Sequence, residues 1–191
     1  MIGRLNGKLV EKSPTELLIE CGGVGYEVKI SLNTFTSLSD NEQIKIFTKL
    51  IVREDANILY GFQSKEEREM FNQLISVSGI GPNTAMIMLS SLTPYEIATA
   101  IQNEEVNIIQ SVKGIGAKTA QRVIVDLKGK STLVEASTQN LTEKSNTIHF
   151  DALTALVSLG FDKRAAERAL KKASDEVSTV EGLIKEALKV L

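Results

Sequence analysis

Two segments of the 191-residue chain repeat one pattern 35 positions apart. Leu74-Ile75-Ser76-Val77-Ser78-Gly79-Ile80-Gly81-Pro82-Asn83-Thr84-Ala85 and Ile109-Gln110-Ser111-Val112-Lys113-Gly114-Ile115-Gly116-Ala117-Lys118-Thr119-Ala120 both read apolar-x-Ser-Val-x-Gly-Ile-Gly-x-x-Thr-Ala. Glycines permit the positive φ of a tight hairpin. The isoleucine between each pair can anchor the turn in a core. A helix that starts at such a turn presents unpaired N–H groups and the positive end of its dipole to an anion. Backbone phosphates of DNA are such anions, and contacts of this kind fix position without reading base sequence. Lys118 and Arg122, four apart, can share a helix face and add charge to the same phosphate run.

Other chemistries fit less well. Gly114-Ile115-Gly116-Ala117-Lys118-Thr119 is superficially like a nucleotide-binding phosphate loop, but Ser111 stands where that loop needs its first glycine. Ala117 also separates Gly116 from Lys118, and a helix rather than a strand precedes. Glycine hairpins also occur in DNA glycosylases and lyases, in which a lysine can attack a sugar. Lys118 has Lys113 and Arg122 nearby in sequence, yet it reads as solvent-facing, so a phosphate contact is expected and lyase activity is not. One cysteine, Cys21, and one histidine, His149, cannot build the usual zinc site alone. No catalytic residue, metal or cofactor is expected.

Those hairpins need a helical frame, and the chain supplies one in its middle third. Residues 1–63 read as five short strands: Ile2–Val10, Leu17–Glu20, Gly25–Ile30, Ile44–Val52 and Ile58–Phe62. Five strands in that length fit an OB-type barrel, with an SH3-like barrel left open by periodicity alone. At Ser64 the period changes. Ser64-Lys65-Glu66-Glu67 and Thr93-Pro94-Tyr95-Glu96 are capping boxes, and Asn103-Glu104-Glu105 offers an N-cap with an acidic first turn. Residues 64–130 are therefore expected to be all helical. Residues 131–147 hold seven Ser or Thr in 17 and few periodic apolar positions, which predicts a linker. Helical spacing resumes over 148–191. Gly160 stops a first helix, Asp162 caps a second through Ala173, and Ser178-Thr179-Val180-Glu181 opens a third.

Net charge is −2, and the basic and acidic counts are 7 and 8 over residues 1–63, 7 and 7 over 64–130, and 8 and 9 over 131–191. No segment is a basic domain, so DNA binding must come from placed groups rather than bulk charge. No apolar run approaches the length of a membrane span, and the N-terminus lacks a signal-peptide pattern. With a single cysteine, the chain fits a reducing cytoplasm.

The order of parts resembles the RuvA family. The matching residues are Ile2-Gly3-Arg4-Leu5, Gly22-Gly23-Val24-Gly25-Tyr26-Glu27-Val28, Val52-Arg53-Glu54-Asp55-Ala56, Leu59-Tyr60-Gly61-Phe62, Gly79-Ile80-Gly81 and Gly114-Ile115-Gly116. The resemblance implies an N-terminal OB-type barrel, a central all-α tandem helix-hairpin-helix domain and a C-terminal three-helix, UBA-like module. It implies a non-catalytic subunit that holds four-way (Holliday) junction DNA open and recruits the hexameric ATPase RuvB for branch migration. It further implies cooperation with the resolvase RuvC and a homotetramer, with an octamer on DNA. Under it, Gly79, Ile80, Gly81, Asn83, Thr84, Gly114, Ile115, Gly116, Lys118, Thr119 and Arg122 would meet DNA. Glu54 and Asp55 would form an acidic pin at the tetramer centre. Leu156, Leu159, Phe161 and Leu188 would present an apolar surface to RuvB. Asn83 departs from the family, whose members often carry a lysine there, so the first hairpin is expected to lean on backbone N–H groups. A repair glycosylase or lyase and a general duplex-binding scaffold are the alternative readings.

Overall fold

Alternating apolar and polar residues drive Arg4–Lys12 (β1), Glu16–Cys21 (β2), Val24–Ile30 (β3), Gln43–Val52 (β4) and Asn57–Phe62 (β5) into strands with one buried face. In the computed structural model, which describes residues 1–39, 42–128, 144–172 and 179–191, these strands close into a barrel in the order β1-β2-β3-β5-β4. Neighbours run antiparallel except β3 and β5, which pair in parallel through Lys29↔Tyr60 and Ile30↔Gly61. That crossover selects the OB-type arrangement over the SH3-like one. Gly61 permits the closure, because a Cβ there would stand 2.5 Å from Val28 Cγ1 and 2.8 Å from Ile46 Cδ1. Leu5, Leu17, Ile19, Val28, Ile44 and Ile46 fill the interior.

A short helix, α1 (Leu32–Ser37), follows β3 and is not announced by the alternation. Ser31 caps it, its hydroxyl accepting from the Thr34 N–H at 3.0 Å. Its six residues are too few to display a helical period.

Among the described residues up to 128, the barrel is followed by α2 (Lys65–Ile75), α3 (Pro82–Ser91), α4 (Pro94–Gln102), α5 (Val106–Gln110) and α6 (Ala117–Leu127). Thr93 and Glu96 form the expected reciprocal capping box. At Ser64 only half of the box forms: the hydroxyl accepts from the Glu67 N–H at 3.1 Å, but the Glu67 carboxylate goes elsewhere. It accepts from Ser31 Oγ at 2.5 Å, Thr34 Oγ1 at 2.6 Å and the Gln63 N–H at 3.0 Å, tying α2 to α1. Asn103 is not an N-cap. It ends α4, with Glu104 at φ 58° and the Glu105 N–H donating to Ala100 O at 2.8 Å. This left-handed closure of α4 uses the residues that the sequence assigned to the start of α5.

The helices pack around Met70, Phe71, Leu74, Met88, Leu89, Ile97 and Ile101. Tyr60 and Phe62 of β5 belong to the same core, with ring centroids 5.1 Å and 5.0 Å from that of Phe71. Apolar packing thus runs without a seam through residues 63 and 64. Phe35 and Phe47 are half-buried against core clusters. Cys21 is half-buried at the end of β2.

The chain divides into two compact units, Met1–Ser137 and Thr138–Leu191. In the second, α7 (Lys144–Ser158), α8 (Lys163–Lys172) and α9 (Val180–Leu188) pack Ala152, Leu156, Ala166, Ala169, Leu170, Leu183 and Ala187 together. Helix α7 starts at Lys144, inside the segment 131–147 expected to be linker. Once a helix is nucleated each further residue adds a hydrogen bond, so a run without Gly or Pro extends past its apolar stripe. Residues 131–143 lie outside the described residues, as does Ala173, the expected end of the second helix. Gly160, at φ 98°, ends α7, and Asp162 Oδ1 caps α8 by accepting from the Arg164 and Ala165 N–H groups. The N-cap of α9 is Thr179, not Ser178, with its hydroxyl accepting from the Gly182 N–H at 3.3 Å. Among the described residues no helix is long and apolar enough to cross a membrane.

Candidate nucleic-acid interface

The two repeats fold alike. Helix α2 ends at Ser76, the Val77 N–H donates to Leu74 O, and the Ile80 N–H donates to Val77 O at 3.0 Å. Helix α5 ends at Ser111, the Val112 N–H donates to Ile109 O, and the Ile115 N–H donates to Val112 O at 3.1 Å. Gly79 and Gly114 take φ 97° and 90°, the left-handed region that a Cβ disfavours. Gly81 and Gly116 do not. At φ −87° and −82° they are N-caps of α3 and α6, and a Cβ on either would meet open space. Their bareness leaves the helix end uncovered rather than enabling the turn. Ile80 and Ile115 are buried and fasten each hairpin to the core, so the outward parts of the motif are the glycines and the helix starts.

Those helix starts differ from those of α2 and α4. Helices α2 and α4 are capped by Ser64 and Thr93 and carry glutamates in the first turn. The Glu66 carboxyl is held below the usual range by its own backbone N–H and the Ser64 hydroxyl, and Glu96 likewise by Thr93. Helices α3 and α6 have no side-chain cap and no acidic residue in the first turn. Their orphan N–H groups and dipole ends therefore remain available to an external anion. Pro82 removes one donor from α3, leaving Asn83 and Thr84, whereas α6 keeps Ala117, Lys118 and Thr119.

Ser78 and Gly79 of the first hairpin line a shallow concavity with Lys118, Thr119 and Arg122 of the second. The fold thus brings the two repeats side by side, and both cations are exposed there. Asn83 is exposed and its Oδ1 accepts from the Tyr60 hydroxyl at 3.2 Å. Burial pushes the Tyr60 phenol up from its ordinary value, against a smaller pull from the Arg53 cation. Sequence reading missed Tyr60 as a neighbour of this site; its membership of the apolar stretch Ile58–Phe62 marked it only as a strand residue.

Arg53-Glu54-Asp55-Ala56 is the turn between β4 and β5, closed by the Arg53 N–H donating to Ala56 O at 2.8 Å. Glu54 and Asp55 are exposed, and neither forms an ion pair among the described residues. In the second unit Leu159, Phe161 and Leu188 are exposed, but Leu156 is fully buried in the bundle core. That removes Leu156 from the expected apolar surface: it lies on the inward face of α7, whereas Leu159 falls just past the end of that helix. His149 is exposed on α7.

Three family models match the chain: the RuvA N-terminal domain over residues 1–61, the SAM-like helix-hairpin-helix tandem over 71–129, and the RuvA C-terminal domain over 149–191. Full-length relatives agree. Proteins of Christiangramia forsetii and Flavobacterium psychrophilum are 52% and 51% identical, with all of each chain covered. A third, from Porphyromonas gingivalis, is 45% identical, again over all of both chains. Each carries the name Holliday junction branch migration complex subunit RuvA.

Proposed function

The chain belongs to the RuvA family, and from that premise we propose that it is a non-catalytic subunit that binds four-way junction DNA for branch migration, with the ATPase activity residing in RuvB. The observation that carries this reading is the pair of matched, uncapped helix N-termini on α3 and α6, set side by side in one unit. Each hairpin grips a run of phosphates. Gly79, Ile80 and Gly81 shape the first end, with the N–H groups of Asn83 and Thr84 as donors. Gly114, Ile115 and Gly116 shape the second, where Lys118, Thr119 and Arg122 add side-chain donors and charge. Contacts of this type hold any sequence equally well, which suits a protein that must follow a moving crossover.

Discrimination between junction and duplex then falls to Glu54 and Asp55. In a homotetramer, two carboxylates from each of four subunits gather at the crossover and repel phosphates there, holding strands apart and disfavouring continuous duplex. This arrangement reconciles a net charge of −2 with DNA binding, because the acidic groups gather where phosphate must be kept out. A second tetramer can cover the other face of the junction as an octamer, and RuvC would act on the same open junction. In the C-terminal unit, the exposure of Leu159, Phe161 and Leu188 supports an apolar contact with RuvB. The site of action is the cytoplasm, where chromosome and motor meet.

A gel-shift salt series with a four-way junction and a linear duplex of the same arm sequences tests the reading. Junction preference that survives excess duplex competitor is the expected result. Equal binding would leave a general duplex-binding protein.

A further inference from the structure

The first hairpin lacks the side-chain cation of the second: Asn83 stands where α6 carries Lys118. It is held by a partner outside its own helix. Tyr60 comes from β5 of the barrel, its ring is buried against Phe71, and its hydroxyl reaches Asn83 Oδ1 at 3.2 Å. We propose that Tyr60 is a positioning residue for DNA: its hydroxyl pins the Asn83 side-chain carbonyl inward, so that the amide N–H2 faces out beside the open N-terminus of α3 as a neutral phosphate donor.

A tyrosine hydroxyl can donate to an amide oxygen or accept from an amide nitrogen, and here it donates to Asn83 Oδ1 at 3.2 Å. An asparagine amide has one acceptor end and one donor end, about 120° apart on a planar group. Whichever end Tyr60 takes, the other is presented to solvent. A tyrosine hydroxyl that donates to Oδ1 leaves Nδ2 outward, and Nδ2 has no protein partner among the described residues. The reverse orientation would show phosphate an oxygen, which repels it. The Tyr60 phenol is protonated at neutral pH without any help, and burial pushes its pKa further up, away from ionisation. The ring cannot swing away, because Phe71 packs against it at 5.1 Å and the residue is 1% exposed. Asn83 itself has two free rotations in an exposed first turn, so without Tyr60 the amide would sample both ends. Barrel and hairpin thus cooperate in one contact: a strand residue sets the donor that a helix residue offers. Two unlike ends follow. The second hairpin binds with a point charge, and the first with an oriented dipole whose contribution to the salt dependence is small.

This inference rests on the reading that the hairpins take phosphates, and a mutant cycle separates the two. Tyr60→Phe, Asn83→Ala, the double variant, Asn83→Asp, Asn83→Lys and Asn83→Lys with Tyr60→Phe are measured in the full chain, on junction and on linear duplex, over a salt series. Thermal melting of each variant checks the fold. Tyr60→Phe and Asn83→Ala should each weaken binding to both DNAs by roughly 2- to 12-fold for each hairpin engaged, the loss of one modest hydrogen bond per hairpin. The double variant should be no weaker than Asn83→Ala alone. Asn83→Lys should steepen the log–log salt slope by about 0.9 for each hairpin engaged, and Tyr60→Phe should have no effect on that background. Asn83→Asp keeps the acceptor for Tyr60 but replaces the donor by a negative charge, so it should bind more weakly than Asn83→Ala. Full binding by Tyr60→Phe, additive losses in the cycle, or Asn83→Asp binding as well as wild type would each overturn the inference. A non-additive cycle without junction preference would instead sink the junction reading and leave the positioning role standing.

Discussion

Replacing Glu67 by alanine should cost more stability than any change on the DNA-facing surface. The carboxylate is 5% exposed and accepts three hydrogen bonds, from Ser31 Oγ, Thr34 Oγ1 and the Gln63 N–H. Bonds to an ionised group contribute about 1.5–3 kcal/mol each, so three set an upper bound near 4.5–9 kcal/mol. Part of that is recovered. The hydroxyls can rotate, and the Gln63 N–H already has a second acceptor in Thr34 Oγ1 at 3.3 Å. A net loss of about 3–5 kcal/mol remains, comparable to removing one partner from a buried charged network. For a unit spanning Met1–Ser137 that lowers its Tm by about 10–17 °C. Glu67→Gln keeps one acceptor oxygen, and its amide can donate to a hydroxyl, so its loss should stay near 1–2 kcal/mol. Tyrosine fluorescence is the assay of choice. The three tyrosines, Tyr26, Tyr60 and Tyr95, all lie in the first unit and the chain has no tryptophan, so the signal reports that unit alone. A Glu67→Ala unit melting within about 1 kcal/mol of wild type, or one as stable as Glu67→Gln, would refute the claim that this carboxylate clamps α1 to α2.

Three further outcomes are expected. Glu54→Gln with Asp55→Gln should raise duplex affinity relative to junction in the same gel shift, and an unchanged ratio would count against an acidic pin. Lys118→Ala should weaken junction binding and flatten the salt slope by about 0.9 per subunit engaged; a slope constant within error would remove Lys118 from the contact set. Phe161→Ala should reduce RuvB recruitment in a pull-down while junction binding persists, and loss of both together would point to a folding role for that ring.

The hairpins could be read from sequence because each is a local device. All the residues that shape one lie within a dozen positions, and the repeat gives the pattern twice. The barrel strands were legible for a similar reason, since alternation is a property of neighbours. What escaped depends on distance along the chain. Glu67 reads as the last residue of a capping box, but its carboxylate is claimed by hydroxyls 36 and 33 residues away. Tyr60 and Asn83 are 23 positions apart, and only the packing of the helices against β5 brings them together. Leu156 and Leu159 share helical spacing, yet α7 stops at Ser158, which leaves one buried and the other exposed. Periodicity assigns a face but not the place where the helix ends. Asn103 shows the same limit: a residue suited to starting α5 closes α4 instead.

The uninterrupted packing from Tyr60 and Phe62 into Phe71 bears on how such a protein can change over evolutionary time. A hairpin pair joined to its neighbour by a tether could be cut out and grafted onto other proteins as a portable grip. Here excision after residue 63 would strip two aromatic partners from the Phe71 ring and free the carboxylate of Glu67 from Ser31 and Thr34. Barrel and hairpins therefore share one core, and a substitution on the β5 side acts directly on the packing of α2. That shared core ties the placing of the grips to the strands that carry the β4–β5 turn, while the exposed tips can carry different donors, as Asn83 and Lys118 do.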